Sequence, residues 1–233
     1  MDLNFTGETY IPGKTPKRIE DDHLERYRFA SRFVKGKYVL DIACGAGCGS
    51  RMLAEAGASS VDAVDISDDL IKYAICNYAA PSISYIQDNI YSFNPGELYD
   101  VIVCFETIEH VDDYNKALSN LYSLLKEGGV LLISSPNRLI SSPKAKALGD
   151  KPVNIYHVNE FTIEELRTIL EENRLKVSSR EIFGQRHRIY FKNDYLRKIY
   201  EKLFKPDECF SPVISRVKML MPKYFLIIAR KIQ

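Results

Sequence analysis

Two hydrophobic periods take turns along this chain. Over residues 19–34 (IEDDHLERYRFASRFV), Leu24, Tyr27, Phe33 and Val34 can share one face and the acids come first, which predicts a helix. Short apolar runs then alternate with helical patterns. KYVLDI (37–42), SVDAVDI (60–66), SISYIQD (82–88), YDVIVCF (99–105) and VLLISSPN (130–137) read as strands. GSRMLAEAG (49–57) reads as a helix ended by glycine, and SDDLIKYAICNYA (67–79) as a helix with Ser67 as its N-cap. YNKALSNLYSLLK (114–126) reads as a third, its end marked by Gly128-Gly129. Residues 138–156 show little periodicity and predict a long loop. Thr162 and Glu165 then carry the spacing of a capping box, and RLKVSSREIFG (174–184) and KYFLIIARK (223–231) predict two closing strands.

Strands alternating with helices at this spacing imply a doubly wound α/β domain, a parallel sheet covered on both faces. The central strands are nearly all apolar, as burial on both faces requires. No repeat, low-complexity tract or linker divides the chain, so residues 1–233 are expected to form a single domain. Within it, residues 1–35 form an N-terminal cap region, 36–184 the core, 185–222 an insertion and 223–231 the last strand. Apolar residues make up 45% and charged residues 27%, the balance of a soluble globular protein. The N-terminus lacks a signal-peptide pattern and no apolar run approaches the roughly 18 residues of a membrane span, so a cytoplasmic location is expected. Five cysteines without metal spacing fit a reducing compartment, with Cys44, Cys76 and Cys104 expected as buried core thiols.

Charge changes the picture at the C-terminal end. Residues 185–233 hold 12 Lys and Arg against 4 Asp and Glu, while residues 1–184 hold 20 against 27. That split points to an anionic partner for the tail. Within it, NDYLRKIYEKLF (193–204) sets Tyr195, Leu196, Ile199, Tyr200, Leu203 and Phe204 on one helical stripe, with Arg197, Lys198, Lys202 and Lys205 around it. One reading is a helix whose apolar face covers the active site or sheet edge. The other is a basic amphipathic helix resting on an anionic membrane surface. No recognised nucleic-acid-binding motif accompanies the basic charge.

The strand ends carry polar residues in succession: Asp41, Asp65, Asp88, Glu106 and Ser134 to Asn137. Ligands of doubly wound sheets bind at that rim. After the first strand, VLDIACGAGCG places Gly45, Gly47 and Gly49 within five residues. Glycines there serve a tight turn with close packing, or the close approach of a nucleotide. No lysine followed by serine or threonine completes a phosphate loop. Asp41 offers a carboxylate instead, which suits an ammonium or sulfonium ligand and points to S-adenosylmethionine over NAD. Asp65 lies 20 residues after Gly45, the spacing at which an acid meets ribose hydroxyls.

VLDIACGAGCGS, VDAVDIS, IQDNI, YDVIVCFETIEHV, LKEGGVLLISSPN and YHVNEFTIEEL together resemble the ordered motifs of class I S-adenosylmethionine-dependent methyltransferases, over roughly residues 36–184. The resemblance implies a Rossmann-like methyltransferase fold, seven-stranded and mostly parallel with an antiparallel last strand. It also implies that Asp41, Gly45 and Gly47 surround the methionyl part, that Asp65 binds the ribose, and that Asp88 with Asn89 meets the adenine. Ala43, Ile66 and Glu106 complete the cofactor-binding set that it implies. FTGETYIPG with HLERYRFA further resembles a subgroup of sugar and surface-polysaccharide methyltransferases, in which Tyr10, Arg26 and Tyr27 would cap the cofactor.

An aliphatic hydroxyl acceptor needs a general base or a metal to remove its proton. The chain has four histidines. His110 is the first choice for the base, with Glu109 beside it and His157 as the second candidate. Glu106, Glu109 and His110 would share one side of a helical turn. With His157 they resemble the two-glutamate, two-histidine metal site of small-RNA 3′-terminal 2′-O-methyltransferases, although a divalent metal is not the favoured reading. His23 and His187 are expected as surface or capping residues. The preferred function is O-methylation of a sugar hydroxyl in glycan or secondary-metabolite biosynthesis, on a small-molecule or glycan acceptor. The alternatives are a metal-dependent RNA 2′-O-methyltransferase, a small-molecule phenol or carboxylate methyltransferase, and a catalytically inactive binding subunit.

Overall fold

The computed structural model describes residues 9–205, 210–217 and 219–232; Phe5 to Glu8 of the FTGETYIPG stretch and Cys209 lie outside the described residues. Helix α1 (Lys17–Ala30) precedes a sheet built from β1 (Tyr38–Ile42), β2 (Ser60–Asp65), β3 (Ile83–Gln87), β4 (Tyr99–Phe105) and β5 (Leu125–Pro136). Helices α2 (Cys48–Glu55), α3 (Asp68–Tyr78) and α4 (Tyr114–Leu124) connect them. The short α5 (Arg138–Ser141), α6 (Ile163–Glu172), β6 (Leu175–Gln185), α7 (Asp194–Phe204), β7 (Ser215–Arg216) and β8 (Tyr224–Lys231) complete the chain. Strand order is β3-β2-β1-β4-β5-β8-β6-β7. β1 to β5 pair in parallel, while β8 runs antiparallel to both β5 and β6. The seven expected strands all form, and the two-residue β7 adds an eighth by pairing with Phe183 and Gly184.

Alternation across the strands divides the interior into two layers. Leu40, Ile102, Cys104, Leu131, Ile133 and Phe225 face the layer under α4 and α6. Val39, Val101, Val103, Leu132 and Ile228 face the layer under α1 and α2, which contains Tyr27, Phe29 and Leu53. Both faces of the central strands are therefore dry, which fixes their register: a one-residue slip would exchange the two layers. Chain order reverses between β1 and β4, so the crevice beyond their carboxyl ends is the natural ligand position.

Local rules place most boundaries. Ser67 accepts a hydrogen bond from the Leu70 N–H at the start of α3, and Thr162 and Glu165 form the reciprocal capping box of α6. Three expectations change. The Gly128-Gly129 pair does not end α4; the helix stops at Leu124 and β5 starts at once, with Tyr99 paired to Leu125 before a bulge. Cys76 is exposed, unlike Cys44 and Cys104, because α3 turns Ile71 and Ala74 inward and Cys76 outward. The 138–156 segment opens with a helical turn, α5, capped by Asn137.

Helix α7 forms over the expected residues with Asn193 as N-cap, but it covers neither the active site nor the sheet with its apolar stripe. Only Tyr200 is buried; Tyr195 is 72% and Leu203 70% exposed, and Leu196, Ile199 and Phe204 are exposed as well. Among the described residues, no helix is long and apolar enough to cross a membrane.

Candidate functional site

A cavity of about 750 Å³ opens at the carboxyl ends of β1, β2 and β4 and is closed on one side by α1. Its floor is the turn between β1 and α2. Ala43, Gly45 and Gly47 all have positive φ there, at 59°, 58° and 85°. Glycine is also required by close packing: a Cβ on Gly47 would lie 2.6 Å from the Ala74 Cβ, and one on Gly49 would lie 2.1 Å from the Tyr27 ring. The bare backbone at Gly47 and Gly49 thus brings α3 and Tyr27 against the turn.

Asp41 sits behind this turn, 1% exposed and outside the cavity lining. Its carboxylate accepts hydrogen bonds from the Tyr27 hydroxyl at 3.0 Å and the Ser50 hydroxyl at 2.6 Å. Burial pushes its pKa up to about 7, against those two hydrogen bonds and with a smaller contribution from the Asp65 charge. The structure therefore uses Asp41 to hold Tyr27 and α2 in place, rather than bringing it to the cavity with the other expected residues.

Asp65 does line the cavity. Its oxygens accept from the Gly45 and Ser67 N–H groups, each at 2.9 Å, so the end of β2 and the glycine turn are locked together. Burial raises its pKa against these bonds. Ile66 beside it is 66% exposed, an apolar surface presented to the cavity. Asp88 and Asn89 follow β3, where the Asp88 N–H donates to the Asp65 carbonyl and the Asn89 side chain accepts from the Tyr91 N–H.

The α1 side brings together Tyr10, Arg26 and Tyr27. His23 lies between the two tyrosine rings, at centroid distances of 4.6 and 4.9 Å, and burial together with the Arg26 charge pushes its pKa down to about 3. It is not a surface residue, because α1 turns the face holding Asp22, His23 and Arg26 toward the cavity. Arg26 donates to the Gln185 side chain at 2.8 Å, stacks over Tyr224, and stands 3.9 Å from the Glu106 carboxylate. His187, also expected at the surface, is half-buried against Gly184, and burial lowers its pKa.

At the end of β4, Glu106 adopts a left-handed φ of 48°, with its N–H and one carboxylate oxygen bonded to Ser134. A 3-10 turn over Ile108–His110 follows, so Glu106 precedes the turn instead of sharing a helical face with Glu109 and His110. Glu109 is 1% exposed, and burial plus the neighbouring Glu106 charge hold its pKa well above the carboxylate range. His110 packs edge-on against His157 with centroids 4.9 Å apart. Its Nδ1 is 3.0 Å from the Tyr156 carbonyl, which can only accept, so in the neutral ring Nδ1 carries the proton and Nε2 is the basic atom. His157 is held differently. Its Nδ1 is 2.7 Å from Glu160, and its Nε2 is 2.9 Å from the Asn154 amide nitrogen, whose carbonyl oxygen already accepts from the Tyr156 N–H. Burial would raise the Glu160 pKa, but its hydrogen bonds to His157 and Ser141 hold it below the ordinary value.

Ligand atoms of Glu109, His110 and His157 lie within 4.8 Å of one another, and Glu106 is outside this group. The donor set does not fit the four-residue metal site: Glu106 is bonded to Ser134, and both nitrogens of His157 are engaged by Glu160 and Asn154. The site also contains Asp22, Asn154 and Tyr224, which sequence reasoning missed. None stands in a local motif; each reaches the cavity only through tertiary packing.

Residues 17–179 match the model of a family described as a methyltransferase domain. A curated relative from Mycolicibacterium smegmatis, named a "probable S-adenosylmethionine-dependent methyltransferase", is 31% identical over 171 residues, covering 72% of this chain and 64% of that protein. The ubiquinone biosynthesis O-methyltransferase of Coxiella burnetii is 40% identical over 109 residues, 45% of this chain and 46% of that protein. The chain thus spans less than two thirds of the length of the curated relatives it matches. The solved structure of the N-methyltransferase NodS from Bradyrhizobium japonicum with S-adenosyl-L-homocysteine has the same fold. It is 19% identical, with a TM-score of 0.63 over 95% of this chain and 94% of that one.

Proposed function

The chain belongs to the class I S-adenosylmethionine-dependent methyltransferases, and from that premise we propose that it methylates a hydroxyl oxygen of a small-molecule or glycan acceptor, a sugar hydroxyl first among them. The observation that carries this reading is His110, a histidine on the cavity wall whose Nδ1–H is committed to a backbone carbonyl and whose Nε2 is basic. The printed name of the Coxiella relative, an O-methyltransferase, agrees with oxygen as the acceptor atom.

In this reading Asp65 holds the ribose hydroxyls, Ile66 offers its apolar face to the adenosine, and Asp88 and Asn89 meet the adenine. Ala43, Gly45 and Gly47 pass beside the methionyl part, with Glu106, Tyr10, Arg26 and Tyr27 closing over it. Asp41 contributes through Tyr27. The acceptor hydroxyl attacks the sulfonium methyl in line, the carbon–sulfur bond breaks, and the hydroxyl proton passes to His110 Nε2. S-adenosylhomocysteine and the methyl ether leave. Alignment of the two reactants supplies about 7 kcal/mol or more of the barrier reduction, and the base about 10²–10⁴ in rate. His157, with its proton fixed toward Glu160, orients rather than abstracts.

The reading includes a cytoplasmic enzyme that touches an anionic membrane surface. The exposed Tyr195, Leu196, Leu203 and Phe204, flanked by Lys198 and Lys202, support that contact, which cosedimentation with phosphatidylglycerol vesicles measures. His110→Ala tests the mechanism: turnover is expected to fall at least 100-fold while S-adenosylhomocysteine affinity stays within about twofold. Near-normal turnover would remove His110 as the base.

A further inference from the structure

A second cavity of about 540 Å³ adjoins the first and shares Pro136, Asn154, His157 and Tyr224 with it. Its wall carries charges of both signs, Glu160 and Glu201 with Arg188, Lys205 and Lys223, so no single sign of charge selects an occupant. Tyr224, at the junction, is held on every side. It opens β8 and pairs with Pro136 of β5 on one flank and Gln185 of β6 on the other, which fixes its backbone. Its ring is fixed as well: the Arg26 guanidinium, bonded to the Gln185 side chain at 2.8 Å, lies over it 5.4 Å from the centroid, with the Lys223 Nζ at 5.5 Å. Among the described residues the Tyr224 hydroxyl has no hydrogen-bond partner. Burial, with the Glu106 charge beside it, pushes its pKa up to about 12, so the phenol keeps its proton and is a donor at neutral pH.

Resting on the O-methylation reading above, we propose that the Tyr224 hydroxyl donates a hydrogen bond to the acceptor oxygen and so selects oxygen over nitrogen as the atom methylated. A hydroxyl group has one proton and two lone pairs. One lone pair attacks the methyl carbon, and the electron pair of the breaking carbon–sulfur bond returns to sulfur. The proton passes to His110, the second lone pair accepts from Tyr224, and Tyr224 keeps its own proton throughout. A neutral amine has a single lone pair, which the attack consumes. The Tyr224 proton then finds no acceptor on the reacting atom, and a donor left unpaired in a half-buried site is costly. A site built to hydrogen-bond one group rejects an analogue lacking it on this ground.

The test compares the native chain with Tyr224→Phe, which keeps the ring and its contact with Arg26. Methyl-tritiated S-adenosylmethionine is supplied with two pairs of probes, methyl α-D-glucopyranoside with its 2-amino-2-deoxy analogue and phenol with aniline, and mass spectrometry locates the methyl group. The native chain is expected to label oxygen. In Tyr224→Phe the O-methylation rate is expected to fall about tenfold or more while N-methylation is no lower, with S-adenosylhomocysteine affinity the same in both proteins. A merely structural role would lower both rates alike. An unchanged ratio of oxygen to nitrogen labelling, or O-methylation within about twofold of native, overturns the assignment of Tyr224 and leaves the oxygen reading standing. Labelling of nitrogen in preference to oxygen by the native chain, or of no oxygen in either pair, overturns the oxygen reading and this inference with it.

Discussion

Asp65 and Asp41 are both buried carboxylates at strand ends, yet their hydrogen bonds give them different work. Asp65 faces the cavity and ties the glycine turn to β2 through the Gly45 and Ser67 N–H groups. Asp65→Ala is expected to weaken S-adenosylhomocysteine binding at least tenfold while the far-ultraviolet circular dichroism spectrum stays native; unchanged affinity would remove the ribose assignment. Asp41 binds Tyr27 and Ser50 behind the turn, and its folded pKa of about 7 exceeds the ordinary value of 3.8. The native state therefore holds a proton that the unfolded chain releases, and this contribution to stability is full below about pH 4 and lost as pH rises toward 7. Chemical denaturation of the cofactor-free protein from pH 4 to 8 is expected to show a smaller loss in Asp41→Asn than in the native chain, the remainder coming from Asp65 and Glu109, whose pKa values burial also raises. The acidic rim was legible residue by residue because each acid ends an apolar run. That Asp41 faces inward was not, since its partners Tyr27 and Ser50 are set by packing.

At the scale of elements, periodicity and caps located every major helix and strand. Ser67, Thr162 and Glu165 act as their spacing predicts. What failed depended on distant partners: β5 starts early because Tyr99 pairs with Leu125, and the 3-10 turn after β4 moves Glu106 off the face of Glu109 and His110. The glycines of the β1–α2 turn show the same limit. A ligand was one reason for them, but at Gly49 the Tyr27 ring occupies the space of a Cβ. Gly49→Ala is accordingly expected to push α1 from α2 and destabilise the protein by about 1–3 kcal/mol, despite alanine's better helix propensity. Urea denaturation measures this, and a stability equal to or above that of the native chain would contradict it.

Over the whole molecule, α1 and the segment at the end of β6 close on one site. Asp22 of α1 accepts the Arg186 Nε–H on both carboxylate oxygens, at 2.7 and 2.8 Å, while Gln185 joins Arg26 to the carbonyls of Asp22 and Pro212. The charge split between body and tail was visible in the sequence, but the pairing of the tail's Arg186 with Asp22 of α1 required the tertiary structure. The proposed function rests on one claim, that the space between the glycine turn and α1 holds S-adenosylmethionine. Calorimetric titration of the chelator-treated protein with S-adenosylhomocysteine, with and without added Mg²⁺ or Mn²⁺, tests it most directly. The account predicts saturable one-site binding with the same affinity in both conditions; no binding in either would contradict it.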